Sequence, residues 1–160
     1  NTDIDGFARA LLEFLHVKNL RFKHVAIIGT GGAAHAVANA VYQLHGKACV
    51  FGRTAEKAQN LAERYRFRWA VLDLASVHIL KKYSDVMIQA TCIGMQENED
   101  PLEFYSFSGH EKVFDVIYTP EKTAMLKRAE HAGCAVANGY DMLRYQAYKQ
   151  FELFTGGSYE

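Results

Sequence analysis

Gly29-Thr30-Gly31-Gly32-Ala33-Ala34 follows a short apolar run, His24–Ile28, and leads into a stretch of helical period. That order suits phosphate binding. Glycine at 29 allows a tight turn, glycine at 31 lets the backbone approach a pyrophosphate, and Ala34 is small enough for the next helix to lie against the strand. The first amides of that helix carry positive partial charge toward an anion, so Gly29, Thr30, Gly31, Gly32 and Ala33 are expected to line a dinucleotide. About twenty residues on, an NAD site would carry Asp or Glu for the ribose 2′-hydroxyl. This chain has Gly52-Arg53-Thr54-Ala55-Glu56-Lys57 instead. Arg53 and Lys57, one helical turn apart, can share a 2′-phosphate, with the Thr54 hydroxyl as a further donor. The alternative is a pair of solvated cations, but a helix N-terminus disfavours cations unless an anion is shared. The expected cofactor is therefore NADP(H).

The elements that must position these residues are short apolar strands separated by helical stretches. Strands are expected at His24–Ile28, Ala48–Phe51, Trp69–Leu72, Val86–Gln89, Val113–Ile117 and Ala135–Ala137, with helices near 33–45, 55–65, 75–83 and 122–132. The strands are apolar on both faces, as in a sheet covered on both sides. Gly46 and Gly133 fall where left-handed residues would end helices. Thr2-Asp3-Ile4-Asp5 reads as a capping box ahead of Phe7, Leu11, Leu12 and Leu15, and a long amphipathic helix runs from Met142 to Phe154. The expected fold is α/β: a Rossmann-like, doubly wound, mostly parallel six-stranded sheet with helices on both faces, plus flanking N- and C-terminal helices. Residues 1–160 read as one domain.

Composition narrows the function classes. Eighteen basic side chains balance eighteen acidic ones, and no basic stripe with interleaved aromatics marks a nucleic-acid binder. The first eighty residues carry ten basic and six acidic groups, the last eighty eight and twelve, so positive charge leans toward the glycine loop. No apolar run approaches the roughly 20 residues that span a bilayer, and no signal pattern is evident, so a cytoplasmic location and no membrane partner are expected. Cys49, Cys92 and Cys134 are spaced for neither zinc nor a disulfide framework and are expected to be buried thiols. Seven scattered histidines show no paired ligand spacing, and no metal is expected.

Several further motifs stand in one register: Asn1-Thr2-Asp3, Ala90-Thr91-Cys92-Ile93-Gly94-Met95, Asp115-Val116-Ile117-Tyr118, and Gly139-Tyr140-Asp141-Met142-Leu143-Arg144-Tyr145-Gln146. With the Gly29–Ala34 loop and Arg53-Thr54, they resemble the cofactor-binding half of the shikimate dehydrogenase family along nearly the whole chain. Tyr118-Thr119-Pro120 and Gln150 to Gly156 look most like the dehydrogenase portion of bifunctional dehydroquinate dehydratase/shikimate dehydrogenases. The resemblance implies reduction of the 3-dehydroshikimate ketone to shikimate with NADPH. It assigns Asp3 to the aspartate of a catalytic Lys/Asp pair, places Asn1, Tyr118 and Gln146 with Asp3 against the substrate, and makes Thr91, Gly139 and Met142 cofactor contacts. A ketone accepting hydride needs a proton from a positioned donor, which suits such a carboxyl.

The same resemblance implies a substrate domain ahead of Asn1, bordered by helices in 1–20 and 140–160, that holds the substrate together with this half and supplies the lysine; the first lysine here is Lys18. On that reading the 160 residues, which open on Asn1 rather than Met, bind NADPH without useful dehydrogenase activity. They would also expose Phe7, Leu11, Phe151 or Phe154 and self-associate. Three departures bear on cofactor strength: Gly52 and Gln89 stand where the family often has Asn, and His35 where it often has a basic residue. The competing readings are an NAD-dependent quinate/shikimate dehydrogenase and a non-catalytic nucleotide-binding Rossmann module. Convergence of Asp3, Tyr118 and Gln146 on one cleft favours the enzyme.

Overall fold

In the computed structural model, which describes residues 1–157, the chain opens with α1 (Thr2–Leu15) and then alternates. The series is β1 (His24–Ile28), α2 (Gly32–Gln43), β2 (Lys47–Gly52), α3 (Ala55–Glu63), β3 (Arg68–Val71), α4 (Val77–Lys82), β4 (Val86–Gln89), β5 (Lys112–Asp115), α5 (Ala124–His131), β6 (Ala135–Ala137) and α6 (Tyr140–Thr155). All strand pairs are parallel, in the order β3-β2-β1-β4-β5-β6. This is the Rossmann-like sheet expected from the alternation, with the order reversing between β1 and β4. The last three residues of the expected 140–160 segment lie outside those described. Among the described residues no helix is long and apolar enough to cross a membrane.

Each strand sends alternate residues to two cores, as a period of two requires. Val25 and Ile27 of β1 join Phe7, Leu11, Val37, Val41 and Leu61 on the face covered by α1, α2, α3 and α6. Ala26 and Ile28 join Phe51, Leu80, Met87, Met125 and Leu126 on the face covered by α4 and α5. Phe7 and Leu11, expected at an exposed face, are fully buried. The reason is α6: it lies on α1, and Phe7 meets the Phe114 ring of β5 edge-on at 5.3 Å. Phe151 and Phe154 are 42% and 91% exposed, as expected.

Two local expectations change. Asn1, not Thr2, caps α1, its side-chain oxygen accepting from the Asp3 amide at 2.8 Å. After α2 the left-handed residue is His45 (φ 67), not Gly46. Gly46 is small for a different reason, since a Cβ there would stand 2.9 Å from Val41 Cγ1 and 3.2 Å from Leu20 Cβ. Gly133 has φ +100 beyond α5, as the spacing predicts.

Gly6 sets the approach of α1 to α6. A Cβ there would lie 2.7 Å from the Met142 carbonyl oxygen and 2.9 Å from the Gln146 amide nitrogen, backbone atoms that cannot rotate away. Gly6→Ala is expected to cost about 1 to 2 kcal/mol of unfolding free energy despite the better helix propensity of alanine. A urea titration checks this, and an unchanged or raised midpoint would mean that the two helices separate freely.

The β4-to-β5 connection, residues 90–111, contains neither helix nor strand, and polar anchors hold it. Buried Glu111 accepts from the Tyr105 hydroxyl at 2.6 Å and from the amides of Ser108 and Gly109. Burial alone would raise its pKa, but these donors outweigh burial and hold the carboxyl below its usual range. Arg128 of α5 reaches the middle of the segment, donating to Asp100 Oδ2 at 2.8 Å and to the carbonyls of Tyr105 and Leu102 at 2.6 and 2.7 Å.

Candidate functional site

Where the strand order reverses, β1 and β4 stay paired to their carboxyl ends but the connections leaving them pass to opposite faces of the sheet, and ligands bind in such crevices in open α/β sheets. A cavity of about 760 Å³ opens there. Its wall includes Gly29, Thr30, Gly31, Gly32 and Ala33 from the first turn, Arg53, Thr54 and Lys57 from the β2–α3 turn, Thr91 beyond β4 and Tyr118 beyond β5.

The first turn leaves its anion-binding groups open. Gly31 caps α2 with no side-chain bond, no acid occupies the first turn, and a Cβ on Gly31 or Gly32 would meet nothing within 4 Å. The first amides of α2 therefore face open space, as a phosphate-binding helix start requires. Gly29 has φ +122, and a Cβ on it would press on Thr91 Cγ2 at 2.9 Å and Ala90 O at 3.1 Å, so glycine is needed for both conformation and closeness. Thr54 caps α3 without using its hydroxyl in a cap bond. That leaves the hydroxyl available beside Arg53 and Lys57. Gly52 is small because a Cβ would come within 2.7 Å of Thr30 Cγ2 and 3.3 Å of Ala58 Cβ. These residues fit the phosphates of a dinucleotide, and the cationic pair fits an additional one on the ribose.

The residues expected to face the substrate fall into two places. Gln146 Nε2 of α6 donates to Asp3 Oδ1 of α1, and Gln150 lies within 3.5 Å of Thr2 in the same interface. Asn1 is tied to this corner by its cap bond to Asp3. Tyr118, 46% exposed, lines the cavity instead. So Asp3 and Gln146 meet between α1 and α6, while Tyr118 lines a cavity that neither of them lines, and the expected convergence of the three on one cleft is met by the Asp3–Gln146 pair alone. Gly139 and Met142 are not on the cavity wall. Gly139 caps α6 against the Val116 carbonyl, where a Cβ would fall 1.9 Å from the oxygen, and Met142 packs on the core.

Sequence reading passed over the apolar side of the cavity: Leu72, Ile93, Met95 and Ile117 also line it. Met95 lies within a motif already recognised, and its 60% exposure is the signal that no periodicity could supply. Cys49 and Cys134 are buried as expected, but Cys92 is exposed on the cavity wall because it lies past the end of β4. Beneath the wall, the Asp115 carboxyl is pushed up to about 6 by burial, against the opposing bonds from Ile117, Thr123 and Gln89. Among the described residues no group of three or more His, Cys, Asp or Glu could hold a metal ion.

The family model described as Shikimate / quinate 5-dehydrogenase matches residues 12–96. The shikimate dehydrogenase (NADP(+)) of Nitrosopumilus maritimus is 32% identical over 98% of this chain, which covers 58% of that protein. The chloroplastic bifunctional 3-dehydroquinate dehydratase/shikimate dehydrogenase of Arabidopsis thaliana is 36% identical over 86% of this chain and 23% of its own length. A crystal structure of shikimate dehydrogenase in complex with NADP+ superposes with a TM-score of 0.84 at 32% identity, over 99% of this chain and 57% of the other. The chain thus spans well under two thirds of the length of the relatives it matches.

Proposed function

This chain belongs to the shikimate / quinate 5-dehydrogenase family, and from that premise we propose that it is the NADP(H)-binding half of an NADPH-dependent reduction of 3-dehydroshikimate to shikimate. The observation that carries the reading is the meeting of Arg53, Thr54 and Lys57 with the open glycine turn on one cavity wall. In this reading the α2 amides and Gly29–Ala33 hold the pyrophosphate, and Arg53 and Lys57 hold the 2′-phosphate. Thr91 borders the nicotinamide end from the cavity wall, and Gly139 and Met142, which lie off that wall, serve that end only by placing the start of α6. NADPH, when bound, supplies the hydride. Asp3 handles the proton at the substrate oxygen, with Gln146 fixing its carboxylate through the bond to Oδ1. Asn1 and Tyr118 face the substrate hydroxyls and carboxylate, with the remaining substrate contacts supplied from a substrate domain. The same proposal includes a reducing compartment such as the cytoplasm, which suits three free cysteines, one of them exposed.

Fluorescence titration of this chain with NADPH and NADH tests the assignment. Arg53→Ala is expected to weaken NADPH binding about tenfold to a hundredfold, the worth of a lost charge-assisted contact, while changing NADH binding by no more than about threefold. Equal losses for both nucleotides would remove the 2′-phosphate assignment and favour the NAD-dependent reading.

A further inference from the structure

Two polar side chains that the reaction does not use sit buried beneath the cavity, at adjacent carboxyl ends of β4 and β5. Gln89 and Asp115 are register partners in the parallel ladder, and both are fully enclosed. Gln89 works in both directions: its Oε1 accepts from the Thr91 amide at 2.7 Å, and its Nε2 faces the carbonyls of Thr91 and Ile93 and Asp115 Oδ1, each at 3.2 Å. Asp115 Oδ1 also accepts from the Ile117 amide at 3.0 Å, and Oδ2 accepts from the Thr123 hydroxyl at 2.8 Å. The pair therefore bonds to the main chain of both loops leaving these strands, and those loops carry Thr91, Ile93, Ile117 and Tyr118 on the cavity wall.

We propose that Gln89 and Asp115 act as a positioning pair that fixes the two loops of the cofactor cleft before any nucleotide arrives. A loop is a poor wall because its backbone has no ladder to hold it. Here an amide and a carboxylate stand in for the missing ladder, and Thr91 and Ile117 are held by side chains two residues earlier in the chain. The proposal rests on the cofactor reading of the cavity. Its chemistry is nevertheless distinct, because neither side chain lines the cavity.

The test compares Gln89→Met, which keeps volume and removes the amide, with Asp115→Asn. The asparagine can still accept from Gln89 and Ile117 through Oδ1 and can donate to Thr123, whose hydroxyl then accepts. Gln89→Met is expected to weaken NADPH binding roughly tenfold or more through misplaced loops. Faster amide exchange should then be confined to residues 91–95 and 116–119, and Asp115→Asn should bind within about threefold of wild type. Wild-type affinity in Gln89→Met, exchange that rises throughout the sheet, or an equal loss in Asp115→Asn would each overturn the proposal while leaving the cofactor reading intact. Should Gln89→Met fail to fold, the wild-type chain without nucleotide still decides. The Thr91 and Ile117 amides must be protected there, and rapid exchange at both overturns preorganisation. Failure of the wild-type chain to bind either nucleotide would overturn the cofactor reading, and the positioning role with it.

Discussion

Arg128→Ala is expected to destabilise the chain by about 2 to 4 kcal/mol, because it removes one ion pair and two bonds to main-chain carbonyls at a single stroke. The guanidinium is partly exposed, which lowers the value of the charge itself. Its partners are not: the Asp100 side chain is only 9% exposed, and Leu102 and Tyr105, whose carbonyls it satisfies, are buried. Truncation leaves the Tyr105 carbonyl without a donor and takes one from Asp100 and one from the Leu102 carbonyl, which keep only the Leu102 and Tyr105 amides, and that deficit dominates the cost. In a domain of this size the loss corresponds to a fall of roughly 5 to 15 °C in melting temperature. Arg128→Lys should recover only part of it, since one ammonium cannot reproduce a planar fork that serves three acceptors. Thermal melts of the two variants check both statements, and a melting temperature unchanged in Arg128→Ala would mean that Leu102 and Tyr105 hold the segment by apolar packing alone.

The second large effect is a pH dependence. Asp115 titrates near 6 in the folded chain against an ordinary 3.8, burial being the main cause. A carboxyl raised on folding holds its proton more firmly in the native state, so its contribution to stability is greatest below about pH 4 and declines as pH rises to about 6. The full excursion is on the order of 3 kcal/mol. Other carboxylates slope the opposite way, so the quantity to measure is the difference between wild type and Asp115→Asn in chemical unfolding at pH 4.5 and pH 7. The asparagine variant should gain relative to wild type at the higher pH, and a constant difference would mean that the carboxyl is ionised across the range.

Much of this fold was legible because its strands are apolar on both faces and its helices are not. All six strands lie within two residues of expectation at either end, three of them with the expected bounds, and the glycine turn, Arg53, Thr54 and Lys57 lie together as their spacing implied. The misses have physical causes. β5 was expected to run to Ile117 but ends at Asp115, whose carboxylate takes the Ile117 amide and diverts the chain. The stretch at 75–83 begins as a tight turn, Leu74–Ser76, because Asp73 and Ser76 cap each other. Gln89 read as a mere replacement of Asn, since nothing in one sequence tells that its amide meets Asp115, twenty-six residues on. The anchoring of residues 90–111 by Arg128 was invisible for the same reason. Such pairings are set by the fold, and local periodicity carries no trace of them.

The packing of α1 on α6 has a consequence for the order in which the molecule acquires its parts. Asp3 and Gln146 are separated by 143 residues along the chain yet share a hydrogen bond, whereas the glycine turn and its cationic partner Lys57 lie within one βαβα stretch. During synthesis the nucleotide-facing turns can assemble on short-range contacts, while the Asp3 corner must wait until the ribosome has released α6. The setting of the Asp3 carboxylate is thereby coupled to completion of the domain, and a chain stalled before residue 146 would carry a phosphate turn but no fixed Asp3.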